Sequence, residues 1–213
     1  LPYLHGLVID SEDSVSAAGT SEAGALKVVV PVLPRISNHN DFDPLRLHPG
    51  VDLVFVGPDE PIPPADLVIL PGSKSTRHDL QWLKQQGWPE AIQKHLRYGG
   101  KLLGICGGFQ MLGLKVEDPE GLEGEIGITE GLALFEMVTR MVPGKQLRMV
   151  IGGLTSHIAS TAVTSALKGY EMHNGVTEGA ALVRPFAELE GRPDGAVSAD
   201  GQVAGTYIHG VFD

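Results

Sequence analysis

The apolar residues of this chain fall into short, dense runs rather than long amphipathic stripes. Ala25-Leu26-Lys27-Val28-Val29-Val30-Pro31-Val32-Leu33 is β-branched and nearly continuous, as a buried strand requires. Val51 to Val56 gives a second strand. Asp66-Leu67-Val68-Ile69-Leu70 gives a third, which runs into Pro71-Gly72-Ser73-Lys74-Ser75-Thr76. Between the first two, Asp43 is expected to cap a short helix with Pro44 at its first position. Residues 76–98 are helical in composition, with a break at Gly87-Trp88-Pro89, and Gly99-Gly100 ends them. Lys101-Leu102-Leu103-Gly104-Ile105 is a fourth strand that leads straight into Cys106. Apolar strands alternating with helices over residues 25–114 predict a parallel sheet covered on both faces.

After residue 115 the texture changes. Leu132–Met141 and Gln146–Leu154 read as strands joined by a turn at Pro143-Gly144, followed by strands over Gly169–His173 and Gln202–Ile208. Few helical patterns occur here, so an antiparallel extension of the sheet is expected. The stretch 156–168 fits a strand or a helix equally. Residues 10–24 are small, polar and acidic, as in a linker. The expected organisation is a linker over 1–24, left from a longer protein, and one domain over 25–213 that lacks its final segment. The expected fold class is α/β, with three layers: a mostly parallel sheet, helices on both faces and an antiparallel extension.

Charge narrows the partners. The chain has 26 acidic and 16 basic residues for a net charge of −10, and no basic stripe. That disfavours both nucleic acid and an anionic membrane surface. A single cysteine cannot form an internal disulfide, so nothing asks for an oxidising compartment. No run approaches the roughly 18 apolar residues of a membrane span, and the N-terminus has no signal-peptide pattern. A cytoplasmic protein is expected. His39, His48, His78, His95 and His157 are scattered without metal-ligand spacing, so no metal site is expected. Trp82 and Trp88 read as packing residues, and the acidic run from Glu117 to Glu125 as a solvated loop.

The chemistry concentrates at Leu103-Gly104-Ile105-Cys106-Gly107-Gly108-Phe109-Gln110-Met111-Leu112-Gly113. A strand runs into a glycine-flanked cysteine, and a helical pattern follows. This is the shape of a nucleophile elbow, where glycines let helix and strand approach closely. A lone cysteine in an apolar strand is more often structural, but the flanking glycines and the switch to helix reverse those odds. A thiolate nucleophile needs a base and an oxyanion site. His209 stands out as the base, because it ends the strand Val203–Ile208 and precedes Gly210. For the oxyanion, the backbone N–H of Gly72 could join that of Gly107.

Taken together, these segments resemble the cobyric acid synthase branch of the class I glutamine amidotransferases. Gly104-Ile105-Cys106-Gly107-Gly108-Phe109-Gln110 resembles the superfamily's nucleophile motif, and Leu67 to Thr76 its oxyanion loop in that branch. Gly169-Tyr170-Glu171-Met172-His173-Asn174-Gly175 and Gly205-Thr206-Tyr207-Ile208-His209-Gly210-Val211-Phe212-Asp213 are similar to its C-terminal signatures. The resemblance implies a flavodoxin-like sheet and hydrolysis of L-glutamine by Cys106 and His209, with Gln110 helping to bind the substrate. It also implies delivery of the ammonia to an N-terminal synthetase domain of the same polypeptide. That domain amidates adenosylcobyrinic acid a,c-diamide on the way to cobalamin. ATP and magnesium belong to that domain, since this chain has no Gly-x-x-x-x-Gly-Lys-[Ser/Thr] loop and no cofactor is expected in it. Many class I members carry a Glu two residues after the histidine, where this chain has Val211. The group that orients His209 is left open between Asp213 and Glu171. The alternatives are a relative that amidates cobyrinic acid or lipid II, a catalytically silent docking domain, or another cysteine-elbow hydrolase.

Overall fold

The computed structural model describes residues 24–157 and 166–213. The linker expected over residues 1–24 therefore lies almost wholly outside the described residues, as does most of the ambiguous stretch 156–168. The continuous apolar runs form the strands expected of them: β1 (Leu26–Pro31), β2 (Val51–Val56) and β3 (Leu67–Leu70). Helices α1 (Thr76–Gln85) and α2 (Trp88–Arg97) follow, broken at Gly87 in the left-handed region. Then come β4 (Lys101–Ile105) and the short helix α3 (Gly107–Met111). The later strands used below are β5 (Gln146–Leu154), β6 (Ala166–His173), β7 (Ala196–Val197), β8 (Val203–Thr206) and β9 (Ile208–His209).

The central sheet has the order β7-β8-β4-β3-β1-β2. All its ladders are parallel except β7 on β8, so a mostly parallel sheet does carry an antiparallel extension. The inner strands are apolar on both faces because both are covered: Val28, Val30, Val68, Ile69, Leu70 and Ile105 are fully buried. β2 lies at the edge, and only Leu53 and Val56 in it are buried.

Most of the antiparallel strands build sheets of their own. Of the strand expected over Leu132–Met141, only Met137–Arg140 forms. It pairs with Lys115–Asp118 and Val176–Gly179, not with β5. β5 pairs instead with β6 along eight positions, from Gln146↔His173 to Gly153↔Ala166. The strand expected over Gln202–Ile208 is divided at Tyr207: β8 belongs to the central sheet, while β9 crosses to pair with β6. Asp43 does not cap its helix. It is the first residue of the helix Asp43–Leu47, no side-chain cap bond forms there, and its carboxylate pairs with Arg46 at 3.0 Å.

The acidic run is not simply solvated. Asp118 is fully buried and accepts the backbone N–H groups of Leu122 and Glu123 at 2.8 and 2.9 Å. Trp82 and Trp88 pack edge to face, with ring centroids 5.2 Å apart. No described helix is long and apolar enough to cross a membrane.

Candidate active site

The carboxyl ends of β1, β3, β4 and β8 converge at one edge of the central sheet, the place where open parallel sheets bind ligands. Cys106 stands at the end of β4 with φ 51° and ψ −107°, a conformation that L-residues rarely adopt. The close approach of α3 to the sheet imposes this turn. Methyl groups on Gly104 or Gly108 would strike backbone atoms of α3 or of Leu70 and Pro71. Since the strain lies in the backbone, Cys106→Gly is expected to be more stable than Cys106→Ala by about 1 kcal/mol in urea unfolding, both variants having lost the thiol. Equal stability would show that the elbow is unstrained.

His209 is fully buried on β9. Its Nδ1 lies 2.6 Å from Asp41 Oδ2, and the other oxygen of Asp41 accepts the backbone N–H of Gly210 at 3.0 Å. Burial alone would push the imidazolium down. Hydrogen bonds to Asp41 and to Cys106, with electrostatic help from both, outweigh it and raise the pKa to about 9. Tyr170 stacks on the ring, and the Asn38 amide nitrogen approaches Nε2 to 3.1 Å. Asp41 thus supplies the orienting carboxylate that was sought in Asp213 or Glu171. Glu171 is held by Arg148 and Arg192, and Asp213 folds back so that its N–H meets the Gly210 carbonyl at 3.2 Å.

The structure brings the expected site residues together. The two-residue strand Gly72–Ser73 pairs with Ile36–Ser37. A methyl group on Gly72 would lie 3.1 Å from His209 Cε1 and 2.6 Å from Ser37 Oγ, and one on Gly107 would lie 2.9 Å from the Ser73 nitrogen. The Gly72 loop therefore touches both the elbow and the histidine. Gln110 is buried, with its amide fully engaged. It accepts from Thr76 Oγ1 at 2.8 Å and donates to the Asn174 carbonyl at 2.9 Å and to the Tyr207 hydroxyl at 3.3 Å. Cys106, Gln110, Ser73, Lys74, Asn38, Glu123, Lys145, Met172 and His173 line one cavity of about 330 Å³. The Met172 carbonyl lies 3.5 Å from the Cys106 sulfur.

Sequence reasoning missed Asp41, Asn38 and Glu123. Asp41 lies in the polar stretch Ser37-Asn38-His39-Asn40-Asp41 beyond β1, and a polar loop at the carboxyl end of a central strand is a usable signal. His173 lines the cavity. It stacks on Tyr207 at 3.8 Å, and burial pushes its pKa down. Among the described residues no group of side chains is arranged to hold a metal ion.

Comparison with known structures shows the same fold. PurLQS from Thermotoga maritima aligns with a TM-score of 0.63 at 17% identity, covering 87% of each chain. A glutamine amidotransferase aligns at 0.63 and 18% identity, covering 87% of this chain and 92% of the other. The glutaminase domain of Trypanosoma brucei CTPS with bound acivicin aligns at 0.51 and 11% identity, covering 87% of each. At these identities the likeness speaks for the fold alone. The sequence itself matches the family model of the CobB/CobQ-like glutamine amidotransferase domain over residues 27–213. With nearly all of the described structure inside that match, the chain belongs to the CobB/CobQ-like glutamine amidotransferase domain family.

Proposed function

We propose that this chain hydrolyses L-glutamine to glutamate and ammonia with Cys106 as nucleophile and His209 as its base. The observation that carries this reading is the strained Cys106 elbow, which lines the cavity, together with a buried histidine that Asp41 holds from behind. The sulfur attacks the side-chain carboxamide carbon while its proton rests on His209. The developing oxyanion lies toward the backbone N–H groups of Gly72 and Gly107. His209 then protonates the leaving nitrogen, ammonia departs, and water hydrolyses the glutamyl thioester with His209 again as base. Family membership supports glutamine as the substrate. On this reading the ammonia passes to an ATP- and magnesium-dependent synthetase domain of the same polypeptide, which amidates adenosylcobyrinic acid a,c-diamide. The synthetase acceptor rests on the resemblance of Pro71-Gly72-Ser73-Lys74-Ser75 and Gly169-Tyr170-Glu171-Met172-His173 to the cobyric acid synthase branch.

The test is covalent trapping. Incubation with the glutamine analogue 6-diazo-5-oxo-norleucine is expected to add one equivalent to Cys106, located by peptide mass spectrometry, and nothing to Cys106→Ala. Glutamate release from glutamine is expected to be slow in the isolated chain and to rise when a synthetase domain with its acceptor is supplied. An adduct on any other residue, or none, would overturn the nucleophile assignment.

A further inference from the structure

The strand that carries Gly72 has little of its own to hold it. Gly72–Ser73 is two residues long and pairs with the equally short Ile36–Ser37 in a two-stranded ribbon. Such ribbons are marginal in water even at greater length, so this ladder cannot keep its own register. Asp79, in the first turn of α1, reaches both strands. Its Oδ2 accepts the Ser73 hydroxyl at 2.6 Å and the Arg35 backbone N–H at 3.2 Å. The Ser73 oxygen accepts the Ser75 N–H at 3.0 Å, and the Lys74 N–H meets the Arg35 carbonyl at 2.8 Å. One carboxylate oxygen therefore joins the two segments. Ser73 is also packed on the elbow, because a methyl group on Gly107 would lie 2.9 Å from its nitrogen. Any drift of Ser73 moves the neighbouring Gly72 relative to Cys106.

Asp79 is an expensive residue to keep here. It is fully buried, yet its Oδ1 takes no hydrogen bond. The Arg35 guanidinium stands 3.5 Å from that oxygen and is half exposed. Burial raises the carboxyl pKa against the pull of Ser73 and Arg35, so the ionised form weakens the fold instead of supporting it. A side chain retained for stability alone would have both oxygens satisfied. Nor does Asp79 line the Cys106 cavity.

We propose that Asp79 is a positioning residue, which through Ser73 fixes the backbone N–H of Gly72 where the oxyanion of the tetrahedral intermediate forms. It touches no substrate and acts on the rate, not on binding. This assignment rests on the glutaminase reading above and adds to it the group that holds the oxyanion loop.

The experiment compares the full chain with Asp79→Asn, Ser73→Ala and the double variant. Asparagine keeps an acceptor for Ser73 and Arg35 but loses the charge that strengthens both bonds. Four quantities are read. They are kcat and KM for L-glutamine, the rate of Cys106 alkylation by iodoacetamide, the thermal midpoint, and inhibition by L-glutamate γ-semialdehyde. Cys106 adds reversibly to that aldehyde and generates an oxyanion in the same place, whereas alkylation by iodoacetamide forms none. Asp79→Asn is expected to lower kcat and the affinity for the aldehyde together, each by about 10-fold. KM and the alkylation rate are expected to stay within about 3-fold of the wild type, and the thermal midpoint not to fall. The double variant is expected to be no slower than the slower single one, since the link is broken only once. Unchanged kcat in Asp79→Asn would overturn the proposal. So would an equal fall in alkylation and turnover, which marks a general structural role, or losses that add in the double variant. Absence of glutamine turnover in the wild type, with no trapping at Cys106, would overturn the glutaminase reading and this proposal with it.

Discussion

Asp41→Asn is expected to lower kcat for glutamine hydrolysis by on the order of 100-fold, with a smaller change in KM. The carboxylate receives the Nδ1 proton of His209 at 2.6 Å and so leaves Nε2 as the working nitrogen. An amide can turn its NH2 toward Nδ1 instead, which favours the other tautomer. Its remaining oxygen can still accept the Gly210 N–H, so the loop need not collapse. The substitution carries a second, independent signature in pH. His209 has its pKa raised to about 9 in the folded protein, above the ordinary histidine value. A raised histidine contributes stability that is fully present below its unfolded pKa and is lost as pH rises through the folded one. Urea unfolding of the wild type is therefore expected to weaken between about pH 6.5 and 9. In Asp41→Asn that loss begins at the same pH, ends at a lower one and is smaller. Similar profiles for the two proteins would show that Asp41 does not hold the proton on His209.

Gly108→Ala is the substitution expected to cost most in stability, about 3 kcal/mol in urea unfolding, with activity lost alongside. The added methyl group would overlap the Leu70 carbonyl and lie 2.8 Å from that of Pro71. Both are backbone atoms of the strand and loop beneath α3, so no side chain can swing aside. Either the helix lifts from the sheet or the elbow rotates, and each moves Cys106 away from the Gly72 loop. Gly57→Ala is the control. Its methyl group would meet only the Glu60 carboxylate, at 3.8 Å or beyond. It is expected to change stability by no more than about 0.5 kcal/mol.

The central sheet was legible because burial on both faces leaves no freedom of composition. Val28-Val29-Val30 and Val68-Ile69-Leu70 can be little else than inner strands. The elbow was legible for a related reason, since close backbone approach needs glycine on both sides of Cys106. The carboxylate behind His209 was not. Asp41 and His209 lie 168 positions apart, and their contact depends on a 3₁₀ turn over His39–Phe42 that no periodicity announces. Asp43, two residues on, has the better capping pattern and yet makes only an exposed ion pair with Arg46. The acidic run failed differently. Counting charges cannot tell Glu125 on the surface from Asp118, which folds a tight loop around its own carboxylate. The pairing expected of Leu132–Met141 with Gln146–Leu154 across the Pro143-Gly144 turn failed because alternation gives a strand but not its partner. Gln146–Leu154 and Met137–Arg140 are close in sequence and belong to different ladders.

The division of the last strand at Tyr207 has a mechanical consequence. Cys106 ends a strand of the central sheet, whereas His209 hangs from β6 in the antiparallel one, through Tyr170↔His209. Cys106 and His209 therefore meet across a seam between two sheets, which the single residue Tyr207 and the Asp41 contact tie together.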